Sequence, residues 1–244
     1  MFSKLSLNEN LAAVKRLGFE NIEFNMKSVE KQVGDSPNPA RKLVGVNGLK
    51  CLTVHAASLH VEKEDEIPKA IYYGLVSAKF ACALSASVMV VHSNVSRKLP
   101  KNLRHRYLAE IFEELKGYAE DYSLKLAMEN LSYASSGYGK NVGELEEILE
   151  VVDDATMGLT LDFCHAEASG QTSNLLEKYG NRLLNVHLSN RAHKPFDVET
   201  PRLKSFLARL VDIGYDGPLT MELSSKSTIE EISRTRNVVL ETLN

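Results

Sequence analysis

Six ionisable side chains recur along the chain at intervals that suit a metal-dependent chemistry. Successive members of the set are separated by 37, 37, 33, 25 and 35 residues, and the set is His55, His92, Glu129, Asp162, His187 and Glu222. Histidine nitrogens and carboxylate oxygens are side-chain ligands of Mn²⁺, Zn²⁺ and Mg²⁺. Burying such groups together is costly unless they pair with one another or with a cation.

The intervals predict where these residues lie in the fold. Each interval is close to one strand–helix unit of a (β/α)8 barrel, which is roughly 250 residues divided by eight. An apolar residue precedes every member of the set: Val54, Val91, Met128, Leu161, Val186 and Met221. Because strand side chains alternate between faces, the apolar residues are expected to face the helices and the ionisable ones the barrel axis.

Strand-like and helix-like runs alternate along the whole chain, which is typical of parallel βαβ units. We predict eight strands, at Phe2 to Leu5, Asn21 to Met26, Leu49 to Ala57, Ser87 to Asn94, Lys125 to Ser132, Met157 to Cys164, Leu183 to Ser189 and Pro218 to Ser224. Helices are predicted around Leu11 to Leu17, ending at Gly18, and at Ile71 to Ala83, Leu103 to Tyr122, Val142 to Val152, Pro201 to Gly214 and Thr228 to Leu243. The fold class is therefore α/β, a single-domain TIM barrel over residues 1–244.

Taken singly, these residues have ordinary structural explanations. An isolated strand histidine such as His55 or His92 is more often a hydrogen-bonded interior residue than a ligand. Glu129 or Glu222 alone could pair with a lysine. These single-residue explanations do not account for an ionisable residue at the same end of six consecutive strands. This repetition favours a metal site formed by Glu129, Asp162, His187 and Glu222.

Composition narrows the function classes. The chain has 244 residues, 43% hydrophobic and 25% charged, as in ordinary globular proteins. Its net charge of −3 makes nucleic acid an unlikely partner, and no apolar run is long enough to span a bilayer. The polar N-terminal residues and three cysteines without CxxC spacing fit a cytoplasmic protein. The composition is also compatible with assembly into a homo-oligomer.

Four segments carry a resemblance to a known family: Ala127-Met128-Glu129-Asn130, Leu161-Asp162-Phe163-Cys164-His165, Asn185-Val186-His187-Leu188 and Leu219-Thr220-Met221-Glu222-Leu223. They resemble the xylose isomerase-like barrel superfamily, which includes sugar phosphate isomerases and epimerases and AP endonuclease family 2. The resemblance implies that Glu129, Asp162, His187 and Glu222 bind a divalent cation, with no nucleotide cofactor. It also implies that Glu129 and Glu222 move protons and that His165 binds a substrate oxygen.

Endonuclease IV-like members of this superfamily have further histidines that match His55 and His92, and these add metal sites. Their glycine-containing loop is similar to the segment with Gly137 and Gly139. The chain departs from them at Arg191-Ala192-His193, where that branch has an Asp-x-His pair. His193 lies where the epimerase branch often has a substrate-binding arginine. We therefore count His55, His92, His165 and His193 as candidate substrate-binding residues.

The leading functional prediction is a metal-dependent sugar or sugar-phosphate isomerase or epimerase of carbohydrate metabolism. It would act by proton transfer next to a carbonyl through an enediolate, on a small carbohydrate. The alternatives are phosphodiester hydrolysis at abasic DNA and a non-catalytic metal or sugar binder. A basic cluster from Arg97 to Arg106 is predicted to be a solvated helix start in preference to a phosphate site.

Overall fold

The computed structural model of the chain describes residues 5–26, 35–152 and 157–243. Within these ranges seven parallel strands hydrogen-bond in chain order. They are β1 (Asn21–Asn25), β2 (Lys50–His55), β3 (Val88–Val91), β4 (Lys125–Glu129), β5 (Gly158–Asp162), β6 (Leu183–Leu188) and β7 (Leu219–Met221). The strands form a nearly closed barrel with helices between them, and the predicted TIM-barrel class is confirmed.

Helices connect the strands on the outside of the barrel. They are α1 (Leu7–Arg16), α2 (Asn38–Val46), α3 (Ile67–Ala83), α4 (Lys101–Asp121), α5 (Val142–Val152), α6 (Phe163–Ser169), α7 (Thr172–Tyr179), α8 (Pro201–Asp212) and α9 (Ile229–Leu243). Short 3₁₀ turns lie at Glu64–Glu66, Gly180–Arg182 and Arg191–His193. Neighbouring helices pack together, notably α3 with α4 and α4 with α5.

Local sequence explains where several helices begin and end. Ser6 and Glu9 form a capping box at the start of α1, each side chain bonding to the other residue's backbone N–H. Gly18 follows that helix with a φ of +82°, a left-handed conformation that glycine adopts without the steric cost of a Cβ. At α8, the Thr200 side chain accepts from the Leu203 N–H, and Pro201 occupies the first helical position.

The observed elements differ from the predicted ones mainly at their ends. The β3 ladder ends at Val91 and β7 at Met221, so His92 and Glu222 are the first residues after their strands. The chain leaves the sheet there to form the loops at the C-terminal end of the barrel. Helices α2, α6 and α7 lie in segments for which no helix was predicted. Phe2 to Lys4 of the predicted first strand lie outside the described residues.

An apolar layer between strands and helices supports the barrel. Val54, Met128 and Val186, predicted to face the helices, are each fully buried. Phe80 of α3 and Leu108 of α4 are fully buried members of the same core. Each such side chain stabilises the fold by about 1.5–3 kcal/mol relative to an exposed one. The alternate strand positions are thereby held facing the barrel axis.

Among the described helices, none combines the length and the apolar character needed to cross a lipid bilayer.

Candidate metal centre

The structure brings all six predicted residues together at the C-terminal end of the barrel. Their ligand atoms form two overlapping groups in which each atom lies within 4.8 Å of the others. One group contains His55, His92 and Glu129, and the other contains Glu129, Asp162, His187 and Glu222. Glu129 belongs to both groups, so its carboxylate lies at the junction of the two.

His187 lies at the centre of the four-residue group. Its Nδ1 is 3.3 Å from Glu129 Oε1 and 3.3 Å from Glu222 Oε2. The same nitrogen is 4.0 Å from Asp162 Oδ2. The side chains of Glu129 and Asp162 are almost completely buried, whereas that of Glu222 is 31% exposed. Solvent or a substrate therefore reaches this group beside Glu222.

Two buried carboxylate oxygens in this group, Asp162 Oδ2 and Glu222 Oε2, accept no hydrogen bond of good geometry from the described residues. Glu222 Oε2 has an ion-pair contact of 3.3 Å with His187 Nδ1. The other oxygen of Asp162 is engaged, because Oδ1 accepts from the His165 N–H at 2.7 Å and caps α6. Buried polar atoms normally have hydrogen-bond partners, so these two oxygens have unused capacity to accept a donor or to bind a cation. Three carboxylates and one imidazole are a suitable donor set for a divalent cation.

The crowding of charges in the four-residue group shifts the pKa values of its members in opposite directions. Burial, with the charges of Glu129 and Glu222, holds the pKa of Asp162 well above its usual value. Burial alone would lower the pKa of His187, but the charges of Glu23 and Glu129 raise it well above the ordinary range. Burial opposes ionisation of Glu222, yet its contacts with His187 lower its pKa to about 2. Proton binding is thus favoured at Asp162 and His187 and opposed at Glu222.

His55 and His92 both contact the second oxygen of Glu129. Their Nε2 atoms lie 3.1 Å and 2.9 Å from Glu129 Oε2. The ring of His92 is also held by Ser58, whose Oγ is 3.0 Å from Nδ1. Burial would lower the pKa of His55, but the hydrogen bond and charge of Glu129 raise it to about 9. These histidines therefore form a second potential cation site that shares Glu129.

His165 and His193 form a third group with Asp162, again with ligand atoms within 4.8 Å of one another. Their Nε2 atoms are 3.2 Å apart, and His165 Nδ1 is 3.0 Å from the Asn130 carbonyl. Ala192 and His193 adopt left-handed backbone angles, φ +59° and +53°, which carry His193 back toward the barrel. Burial lowers the pKa of His165. His165 and His193, two of the four histidines predicted to bind substrate, thus adjoin the four-residue group.

Two residues of the site were not predicted as such. Asn130 exchanges two hydrogen bonds with the Asp162 backbone, and Glu23 of β1 contacts the far nitrogen of His187. Glu23 stands in the sequence Gly18-Phe19-Glu20-Asn21-Ile22-Glu23, which parallels the glycine, aromatic and acidic residues leading to Glu222. That parallel is the sequence signal that indicates Glu23. At Asn130 the sequence signal is confined to the preceding residue, Glu129.

Most side chains of the basic cluster from Arg97 to Arg106 form ion pairs with glutamates. Arg97 Nε lies 2.8 Å from Glu144 Oε1, and Arg104 Nη2 lies 3.0 Å from Glu147 Oε1. His105 also contacts Glu147, and Arg106 contacts Glu64. These pairs join α4 to α5 and to the Glu64–Glu66 turn. The observed pairing supports a structural function for the cluster over a phosphate site.

Comparisons with known proteins agree with this architecture. A sequence model of the xylose isomerase-like TIM barrel family matches residues 11–240. An uncharacterized protein of Methanocaldococcus jannaschii is 26% identical over 178 residues, which cover 67% of this chain. The match spans 58% of that relative's length.

Solved structures show the same fold. A D-tagatose 3-epimerase-like protein is 22% identical with a TM-score of 0.82, covering 98% of this chain and 93% of that one. AP endonuclease, family 2 from Brucella melitensis is 14% identical with a TM-score of 0.80, covering 94% and 92%. The IolI protein with a bound zinc atom is 19% identical with a TM-score of 0.77, covering 98% and 93%. By its fold and the match over residues 11–240, the chain belongs to the xylose isomerase-like TIM barrel family.

Proposed function

We propose that this protein is a divalent-metal-dependent isomerase or epimerase of a sugar or sugar phosphate. The observation that carries the proposal is the four-ligand group at the C-terminal end of the barrel, in which the buried oxygens Asp162 Oδ2 and Glu222 Oε2 accept no hydrogen bond from the described part of the chain. The match to the family model and the similarity of the fold to named epimerases support it. The proposal includes that the chain forms a single domain, which contains the whole site.

Glu129, Asp162, His187 and Glu222 would hold the cation, with Mn²⁺, Zn²⁺ and Mg²⁺ as candidates. The bound zinc in the structurally similar IolI protein supports a divalent metal as the cofactor. A divalent cation at such a site supplies Lewis-acid polarisation of a carbonyl and stabilises negative charge that develops on its oxygen. Asp162 is suited to be a ligand only, because it is fully buried and its other oxygen caps α6.

The proton transfers fall to Glu129 and Glu222. Both carboxylates lie 3.3 Å from the same His187 nitrogen, so they flank one small volume. Glu222 is partly exposed and can take a proton from the carbon next to a substrate carbonyl. Glu129 is buried against His55 and His92, which can adjust their hydrogen bonds as its charge changes. A pair of carboxylates on either side of a carbon is what inversion by proton removal and return needs.

Three of the four remaining histidines of the site would bind the hydroxyl and carbonyl oxygens of the substrate directly. His92, His165 and His193 each keep part of the side chain exposed, between 14% and 33%. His55 is almost completely buried and acts from behind through Glu129. Neutral imidazoles offer one donor and one acceptor each, which suits polyhydroxy compounds.

Incubation in deuterated water tests the reaction class. The protein, loaded with Mn²⁺, is mixed with a panel of free and phosphorylated ketoses and followed by NMR. We expect a second sugar isomer to form and deuterium to enter the carbon next to the carbonyl, because the abstracted proton exchanges with solvent. Isomer formation without deuterium in any substrate would indicate hydride transfer and would overturn the proton-transfer mechanism.

Hydrolysis of DNA at abasic sites is the second candidate function. The group of His55, His92 and Glu129 favours it, because it offers a further cation site beside the first. The similarity to AP endonuclease, family 2 from Brucella melitensis is of fold alone. Against it stand the net charge of −3 and the ion-paired arginines, since a DNA-binding surface needs free cationic groups for phosphate contacts.

A further inference from the structure

A buried carboxylate on β1 lies directly behind the imidazole of His187. Both oxygens of Glu23 are 3.1 Å from His187 Nε2, on the side of the ring away from the four-residue group. The side chain of Glu23 is 6% exposed and that of His187 is not exposed at all. Glu23 does not belong to any of the three candidate ligand groups among the described residues. Its contact is therefore with a ligand candidate and not with the cation position.

Further hydrogen bonds hold Glu23 in place. Its Oε2 accepts from Thr53 Oγ1 at 2.8 Å and from Asn185 Nδ2 at 3.1 Å. Asn185 is itself oriented, because its Oδ1 accepts from Thr220 Oγ1 at 3.0 Å. The network joins β1, β2, β6 and β7 one layer below the candidate metal centre. A carboxylate that accepts from several fixed donors has little freedom to reorient.

This arrangement determines how His187 presents its two nitrogens. A neutral imidazole has one N–H and one lone pair, and the partner of one nitrogen decides which nitrogen carries the proton. A carboxylate accepts only, so it selects the form with the proton on Nε2. The lone pair then lies on Nδ1, the nitrogen that faces Glu129 and Glu222.

We propose that Glu23 is the positioning residue of the metal centre, which holds His187 in the Nε2–H form with Nδ1 free to bind the cation. The inference rests on the proposed function, because it assumes that His187 is a ligand. Glu23 touches neither cation nor substrate and acts through His187. Carboxylate partners of metal-binding histidines fix the ring orientation and raise its basicity.

Metal affinity of matched variants tests the proposal. Glu23→Gln removes the carboxylate at nearly constant size, and Glu20→Gln makes the same change at an exposed position three residues earlier. The Kd for Zn²⁺ is measured by competition with a chromophoric chelator, and the unfolding temperature of each metal-free protein shows that it is folded. We expect Glu23→Gln to weaken binding by about 10-fold to 100-fold and Glu20→Gln to leave it unchanged. An unchanged Kd in folded Glu23→Gln overturns the proposal, even if its unfolding temperature falls, because that pattern belongs to a purely structural residue.

NMR of the unaltered protein provides a test that does not depend on a variant folding. The ¹⁵N spectrum of the Zn²⁺-loaded protein, with His187 assigned by comparison with His187→Gln, shows which ring nitrogen keeps its proton. We expect a proton on Nε2 and the metal on Nδ1. Metal on Nε2 overturns the inference while leaving the metal centre intact. Failure of the unaltered protein to bind Zn²⁺, Mn²⁺ or Mg²⁺ at all overturns the proposed function, and the inference with it.

Discussion

Asn130 and Asp162 exchange two hydrogen bonds across the ends of β4 and β5. Asn130 Oδ1 accepts from the Asp162 N–H at 2.7 Å, and Asn130 Nδ2 donates to the Asp162 carbonyl at 3.1 Å. Both residues are buried, and the carbonyl of Asn130 also lies 3.0 Å from His165 Nδ1. The amide side chain of Asn130 thus fixes the backbone from which a candidate ligand projects, and the Asn130 backbone carbonyl positions a neighbouring histidine.

Replacing that amide should destabilise the fold. Asn130→Ala removes both bonds and leaves the buried Asp162 N–H without its side-chain acceptor, at a cost of about 1–3 kcal/mol. Thermal unfolding followed by circular dichroism should show a lower midpoint, by about 2–4 °C for each kcal/mol in a chain of this size. The exposed Asn181→Ala is the control. Equal midpoints for the two variants would show that the Asn130 bonds contribute nothing net.

The chemistry of Glu222 can be separated from its capacity to bind metal. Glu222→Gln keeps an oxygen that can contact a cation but removes the basic carboxylate. We expect turnover and deuterium exchange to fall by about 100-fold to 10,000-fold, the usual contribution of general acid–base catalysis. Metal content measured on the same sample should change little. Nearly full turnover in this variant would mean that Glu222 is a ligand alone, and the two-carboxylate mechanism would have to be abandoned.

Much of this site could be predicted from the sequence, because one ionisable residue recurs near the end of each of six successive strands. The positions of Glu129, Asp162 and His187 follow from the spacing of strands and the alternation of side chains, and the structure places all three together. Boundaries were less predictable: the strands predicted to run to Asn94 and Ser224 end their ladder pairing at Val91 and Met221. Glu23 was not predicted, because the sequence does not show that its carboxylate contacts His187.

Abasic DNA should not be a substrate. The guanidinium groups of Arg97, Arg104 and Arg106 contact glutamates, and the net charge is −3. A gel assay with an abasic duplex, the metal-loaded protein and low salt should show no nicking above the buffer control, because the net charge is negative and these arginines are paired with glutamates. Robust metal-dependent incision that disappears in Glu129→Ala would favour the nuclease function instead.

The metal-free protein should become less stable at alkaline pH, in part through His55. Glu129 raises the pKa of His55 to about 9, against 6.5 for an ordinary histidine, although burial alone would lower it. The folded chain therefore binds this proton more tightly than the unfolded chain does. The resulting stabilisation is fully present below about pH 6.5 and is lost as the pH rises through about 9.

The comparison variant for this effect is His55→Gln. Unfolding temperatures of both chelator-treated proteins are measured between about pH 6 and about pH 10, a range that brackets the two pKa values. The advantage of the unaltered protein over the variant should shrink as the pH rises. A difference that stays constant across the range would show that the proton on His55 does not contribute to stability.

The central claim, a divalent cation held by Glu129, Asp162, His187 and Glu222, is tested most directly by elemental analysis of the purified protein after dialysis against metal-free buffer. We predict one tightly bound divalent ion per chain, with any second ion at His55, His92 and Glu129 lost on dialysis. Asp162→Ala should lose the tight ion, because three protein ligands remain where four are needed. Three retained ions per chain would contradict the isomerase assignment, and retention of the ion by Asp162→Ala would contradict the site itself.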